Sequence, residues 1–212
     1  MFAKKLFRNK KGIVGVEAAI VLIAFIIIAA ALSYVVVNMG FYTTQKTKET
    51  MQSGLDESLS ALQLDGVVTG KTNSSRCIKY MVVPVKLSAG KAAVDLGNES
   101  VVVSVYLPNA TLLNIYKGAN STSTTSLDTI LADNTNFSGI QSQGAMFALY
   151  NDDNDTVLES NEKAFLIINL YNDGVADYQT IKIEVRTAKG AALTVVRTTP
   201  GGMPASSFVD LG

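Results

Sequence analysis

The chain has 212 residues, 18 basic and 18 acidic side chains, no histidine, no tryptophan and one cysteine, Cys77. That length holds one ordinary domain plus an extended element. Without histidine the commonest general base is missing, and so are the Ser-His and Cys-His nucleophile pairs. A single cysteine excludes an intrachain disulfide and the multi-cysteine zinc sites.

The neutral balance hides an asymmetry. Residues 1–12 carry Lys4, Lys5, Arg8, Lys10 and Lys11 and no acid, so a chain cut after Gly12 would hold 13 basic and 18 acidic residues. Such a mildly acidic chain argues against nucleic acid as a partner, because phosphate binding needs a basic surface. The five cations hold the N-terminal end on the cytoplasmic side of a membrane by the positive-inside rule. A secretory signal puts its small-residue cleavage site after the apolar segment. Here the small residue, Gly12, stands before it, so cleavage would discard the charges and keep the apolar helix. The simpler alternative is a signal anchor that is never cut. Glu17 speaks against that, since a carboxylate at the edge of a hydrocarbon span costs several kcal/mol unless it is paired.

Ala18 to Val37 is an apolar run interrupted only by Ser33 and the amphipathic Tyr34. As a helix it rises about 30 Å, the thickness of a bilayer core, and it is apolar on every face, which calls for burial in lipid or in a bundle. Asn38 to Gly40 is a candidate kink. Beyond it Met51, Leu55, Leu59 and Leu62 fall at helical spacing, which predicts an amphipathic continuation. A helix from Ile13 to about Leu62 would be on the order of 75 Å long. One small domain cannot cover such a rod; copies of the same chain can.

Asp65-Gly66 breaks the pattern, so residues 13–64 are expected to form the helix and 65–212 a separate domain. From Cys77 onward the texture is β, with predicted strands at Cys77–Leu87, Ser100–Leu107, Ala145–Tyr150, Ala164–Tyr171, Thr180–Thr187 and Leu193–Arg197. The expected fold is α+β: a long N-terminal hydrophobic helix followed by an all-β, immunoglobulin-like sandwich. The segment from Gly118 to Gly139, rich in Ser, Thr and Asn, is expected to be a surface loop.

Six Asn-x-Ser/Thr sequons, at Asn73, Asn98, Asn109, Asn120, Asn136 and Asn154, all lie beyond the helix, as suits an exported, glycosylated surface. Residues 151–162 can be laid on a twelve-residue calcium loop. Asn151, Asp153, Asp155, Glu159 and Glu162 then supply side-chain oxygens and Val157 a backbone carbonyl. Thr156 stands where the sharp turn normally needs Gly. The alternative is a solvated acidic hairpin turn. No cofactor is expected to be required, and calcium is the candidate structural ion. Cys77 is either a small buried hydrophobe or a residue for intermolecular pairing.

The N-terminal part resembles the archaeal flagellins (archaellins). The residues that carry the resemblance are Lys10-Lys11-Gly12, then Gly15 and Glu17, the apolar string from Glu17 through Ala31, and Phe41-Tyr42-Thr43-Thr44-Gln45-Lys46. More loosely similar are the Asn/Asp-rich loop, Phe165 to Leu170, and the tail ending Val209-Asp210-Leu211-Gly212. The resemblance implies a preflagellin cut between Gly12 and Ile13 by a membrane-embedded, prepilin-like signal peptidase. It implies passage through the cytoplasmic membrane, an assembly ATPase with a membrane platform protein, and an extracellular filament. In that filament the helices form the core, as a homo-oligomer or a co-polymer with other archaellins, and glycosylated β-domains form the outside. Other readings are an adhesive archaeal type IV pilin, which shares the leader and helix, and a single-helix membrane-anchored binding module. An enzyme is disfavoured, because neither a nucleophile constellation nor a phosphate loop is present.

Overall fold

The computed structural model describes residues 11–58, 61–89, 93–124, 126–172 and 174–212, with side chains from Gly15 onward. Lys10 and the cations before it lie outside the described residues, as does Leu59. Two compact units result, one ending at Gly54 and one running from Leu55 to Gly212.

Helix α1 spans Lys11–Ser58, 48 residues, or about 72 Å at 1.5 Å per residue. No proline interrupts it, and the run of Ile and Val costs only tenths of a kcal/mol per residue in helix propensity. The helix continues without a break through Asn38–Gly40. Just beyond, the Thr43 and Thr44 hydroxyls donate back to the carbonyls of Met39 and Gly40, both at 2.8 Å. The helix stops at Ser58, short of the expected Leu62. Met51 and Leu55 stay on it and are exposed, whereas Leu62 is 2% exposed in the core of the β-domain. The predicted stripe therefore joined residues of two different environments.

The β-domain opens with β1 (Leu62–Leu64), β2 (Thr69–Thr72), β3 (Ile78–Leu87), β4 (Ala93–Asp95), β5 (Val101–Tyr106), β6 (Thr111–Leu112) and β7 (Tyr116–Thr122). Helix α2 (Leu127–Ala132) and a 3₁₀ turn (Ser138–Ile140) follow. Then come β8 (Gly144–Tyr150), β9 (Val157–Glu159), β10 (Lys163–Asn169), β11 (Thr180–Thr187), β12 (Leu193–Thr198) and β13 (Phe208–Asp210). The larger sheet runs β13-β2-β3-β10-β8-β7, with β1 also paired to β3; the smaller runs β12-β11-β5-β6, and β4 pairs with β9. The sheet therefore begins at Leu62, three residues before the expected boundary.

Period-two patterning decides which faces meet. In β11 Ile181, Ile183 and Val185 are buried while Lys182 and Arg186 are not. In β5 Val101, Val103 and Val105 do the same. These side chains share one core with Val83, Val85, Phe147, Leu166 and Ile168 of the larger sheet, which makes the domain a two-sheet sandwich. Strands β8 and β10 are buried on both faces. Their second face, with Met146, Ala148 and Ile167, packs under Ile130, Phe137 and Ile140 in a separate cluster. This corrects the expectation of a plain surface loop at 118–139. That segment holds the end of β7, which runs parallel to β8, and the helical cover of the larger sheet. Asp65, at the break after β1, bonds Lys86 at 2.7 Å. That hydrogen bond, aided by the charges of Lys86 and Lys163, holds its carboxyl below the usual range.

Candidate functional site

The first candidate is α1 itself. From Val16 to Leu55 its large apolar side chains are each between 52% and 75% exposed. They include the successive residues Ile20, Val21, Leu22 and Ile23, which at about 100° per residue point round the full circumference of the helix. Its acid near the N-terminal end is Glu17; Gly15 lies half a turn before it, and the helical backbone begins at Lys11, so Gly12 and Ile13 are in its first turn. The glycines Gly15, Gly40 and Gly54 have nothing within 4 Å of where a Cβ would sit. Each costs the helix roughly 0.5–1 kcal/mol relative to Ala, and no packing among the described residues requires it.

The second candidate is the acidic loop between β8 and β10. The carboxylate oxygens of Asp152, Asp153 and Asp155 lie within 4.8 Å of one another. Asp152 Oδ2 accepts from the Ser121 hydroxyl and from the Asn154 N–H, the latter at 3.1 Å. Its Oδ1 is buried without a hydrogen-bond partner. A cleft of about 330 Å³ beside it is lined by Ser121, Thr122, Ser123, Tyr150, Asn151 and Asn154 as well as Asp152.

This arrangement corrects the ligand set read from spacing. The twelve residues do not form one continuous loop, because Val157–Glu159 is strand β9, with Leu158 fully buried. Glu162 is 8% exposed and turns back to accept the Glu159 N–H at 2.8 Å. Glu159 and Glu162 stand outside the carboxylate cluster, and Asn151 is tied through Nδ2 to the carbonyl of Asn161 at 3.2 Å. Of the acids named from spacing, Asp153 and Asp155 lie close together, with Asp152 beside them. The positive-φ turns are made by Asn151 (63°) and Asn154 (77°), not by Thr156.

The sequons separate by environment. Asn73 accepts the Cys77 N–H at 3.0 Å. Asn120 sits in β7 and donates to the carbonyl of Asn136. Asn136 donates to Asp133 at 2.8 Å. Asn98, Asn109 and Asn154 are exposed. Cys77 lies just before β3 and is half-buried, with Sγ 3.7 Å from the Ser75 carbonyl; it is not a core residue.

Comparison with known proteins accords with this layout. The family model for archaeal-type flagellin matches residues 12–197. A probable flagellin of Aeropyrum pernix is 42% identical over 205 residues, covering 97% of this chain and 100% of the relative. A probable flagellin of Archaeoglobus fulgidus is 32% identical, with 98% of each chain covered. Among solved structures, the archaeal flagellum of Methanospirillum hungatei matches with a TM-score of 0.57 at 26% identity, covering 93% of this chain and 99% of that one. A flagellin crystal structure from Methanocaldococcus jannaschii shares the fold, at TM-score 0.51 and 17% identity over 71% of this chain and 95% of its own. Helix and sandwich are matched together, and the chain belongs to the archaeal-type flagellin family.

Proposed function

We infer that this chain is a structural subunit of an archaeal flagellum filament, located outside the cell, and not an enzyme. The observation that carries the reading is the exposed, all-round apolar face of α1 in a chain matched over nearly its whole length by flagellins. Such a surface cannot stay in water. At roughly 1.5–3 kcal/mol for each large apolar side chain removed from water, copies of the helix are its natural cover. The adhesive-pilin reading rests on the leader and helix alone. The family match extends through the sandwich to residue 197, which favours flagellin. A lone membrane anchor leaves the helix beyond Gly40 without purpose.

The finer steps follow from the same helix. In the precursor, α1 waits in the cytoplasmic membrane with its cations inside. A prepilin-like peptidase cuts between Gly12 and Ile13, recognising Lys10, Lys11 and Gly12 before the bond. An assembly ATPase and a membrane platform then move the helix from lipid into the filament core. Cleavage creates an ammonium at Ile13, one helical turn from Glu17, and Glu17 pairs with that terminus in its own chain or a neighbour's, fixing helix register. Sequencing of sheared filaments should therefore begin at Ile13. Glu17→Ala should give protein cut at the same bond but absent from filaments. An accumulating uncut Glu17→Ala precursor would instead assign Glu17 to peptidase recognition, and an intact Met1 on wild-type filaments would overturn the processing scheme.

The acidic loop supports a structural role for calcium. Hard cations take clustered carboxylate oxygens, and Asp152, Asp153 and Asp155 offer three within 4.8 Å beside the orphaned Oδ1 of Asp152. The ion would brace the β8–β10 connection outside the cell and take no part in chemistry. Chelator should lower the melting temperature of the β-domain, and calcium should restore it. An unchanged melting curve would remove the ion from the proposal.

A further inference from the structure

We propose that Asn109 is the principal N-glycan acceptor of this chain, an inference that rests on the reading of an exported subunit. Transfer of a glycan from a lipid-phosphate-linked oligosaccharide joins Asn Nδ2 to the anomeric carbon of the sugar. The bond from that carbon to the phosphate oxygen breaks, one Nδ2 proton passes to a base, and the lipid phosphate leaves with the bonding electrons. Two groups of the acceptor must be presented: the amide nitrogen, and the hydroxyl two residues later that completes the sequon. Both must be exposed and released from other bonds.

Sequence alone cannot rank the six sequons, because each has both groups. The folded domain ranks them. Asn120 has neither group available: Nδ2 donates to the Asn136 carbonyl, Thr122 bonds the backbone of Thr124, and the tripeptide is held in β7 against β8. Asn136 gives Nδ2 to Asp133, and the middle residue of its sequon, Phe137, is 2% exposed in the second core cluster. Asn73 is half-buried, and its turn is fixed by the Cys77 N–H on its side-chain oxygen and by the Arg76 and Ser206 N–H groups on its carbonyl. Asn98 is exposed, but its sequon hydroxyl on Ser100 is bonded to Asp95. That bond is the leading cause holding the Asp95 carboxyl below its usual range. Asn154 is exposed, and the Thr156 hydroxyl lies 3.5 Å from Asp95. Asn154 also sits in the acidic loop, where a cation and a glycan would compete for space.

At Asn109 both conditions hold together. It occupies the turn Leu107-Pro108-Asn109-Ala110, closed by the Leu107 N–H on the Ala110 carbonyl at 2.8 Å. Proline pre-sets such a turn. Asn109 and Thr111 are both exposed, and among the described residues neither side chain makes a hydrogen bond. Thr111 belongs to β6, a two-residue strand at the edge of the smaller sheet. The tripeptide can therefore approach another protein with its backbone already turned outward.

Site-resolved glycopeptide mapping of the chain from native cells, with intact masses of Asn109→Gln and Asn120→Gln, tests the assignment. The expected result is a glycan on Asn109, loss of one glycan mass in Asn109→Gln, and no change in Asn120→Gln. Both substitutions keep an amide, and Asn109 lies outside the core, so folding is not at stake for the first. An unmodified Asn109 would overturn the proposal, and so would glycan lost from Asn120→Gln, which would place transfer before folding. Mapping the membrane fraction as well as sheared filaments separates the questions. Glycosylated Asn109 on a chain absent from filaments would count against the filament reading and leave the acceptor assignment standing.

Discussion

Replacing Ile27 with Asp is expected to abolish filaments while leaving the β-domain folded. Ile27 lies near the middle of the apolar run, 62% exposed in the isolated chain. An acid at the centre of a membrane-inserted helix costs about 2.5–3.5 kcal/mol on insertion scales. Placed among helices without a partner, the charge costs several kcal/mol again, and the cost repeats in every subunit. Ile27 belongs to neither core cluster of the β-domain, so melting of the unit from Leu55 onward should match the parent. Electron microscopy of cell surfaces would show no filaments. Filaments of ordinary length from Ile27→Asp cells would mean that the apolar helix is not what holds copies together.

Phe147→Ala should do the reverse, disabling the sandwich and sparing α1. Phe147 is fully buried in β8 and meets the Tyr116 ring edge-on at a centroid distance of 5.7 Å. Tyr116 in turn donates its hydroxyl to the Leu96 carbonyl, so the ring pair ties β7 and β8 to the segment after β4. Truncating a buried Phe costs about 3–5 kcal/mol through lost transfer energy and the cavity left behind. For a domain of this size that is a fall in melting temperature on the order of 10 °C. Thermal unfolding of the unit from Leu55 to Gly212 reads it directly. A shift of less than about 2 °C would show that neighbouring side chains collapse into the space.

Both variants rely on parts that differ in how legible they were. The apolar helix was plain, because 20 residues without a charge have few structural solutions. Strands such as Ile181 to Val185 were equally plain, since one buried and one wet face write a strict alternation into the chain. The end of α1 was not. Leu55, Leu59 and Leu62 satisfy helical spacing, yet Leu62-Gln63-Leu64 also satisfies strand spacing, and pairing with Val85–Leu87 decides between them. Strand β7 was hidden by its composition. Its polar sequence reads as a loop, and its pairing with β8 is parallel and long-range. Leu127, Ile130 and Leu131 did carry a helical spacing in the same segment, but over too short a run to stand out among the serines and threonines.

The acidic loop shows a different limit. Counting every second residue assumes that the backbone follows a known calcium loop. Here β9 runs through the middle of the count, anchored by Leu158 in the core. The carboxylates that gather are set by where that strand begins. Of the acids that gather, spacing had named Asp153 and Asp155, and the fold adds Asp152.

The exposed apolar surface of α1 also fixes how a filament can be renewed. A subunit that comes loose has no comfortable state in the surrounding water, so the medium holds essentially no reservoir of free copies. Exchange with shed material is closed off, and a broken tip cannot be repaired from outside. If the source is the membrane-held precursor proposed above, new length comes from chains still in lipid, and growth belongs at the base. On that scheme the filament is written once, from the cell outward, and its age increases with distance from the membrane.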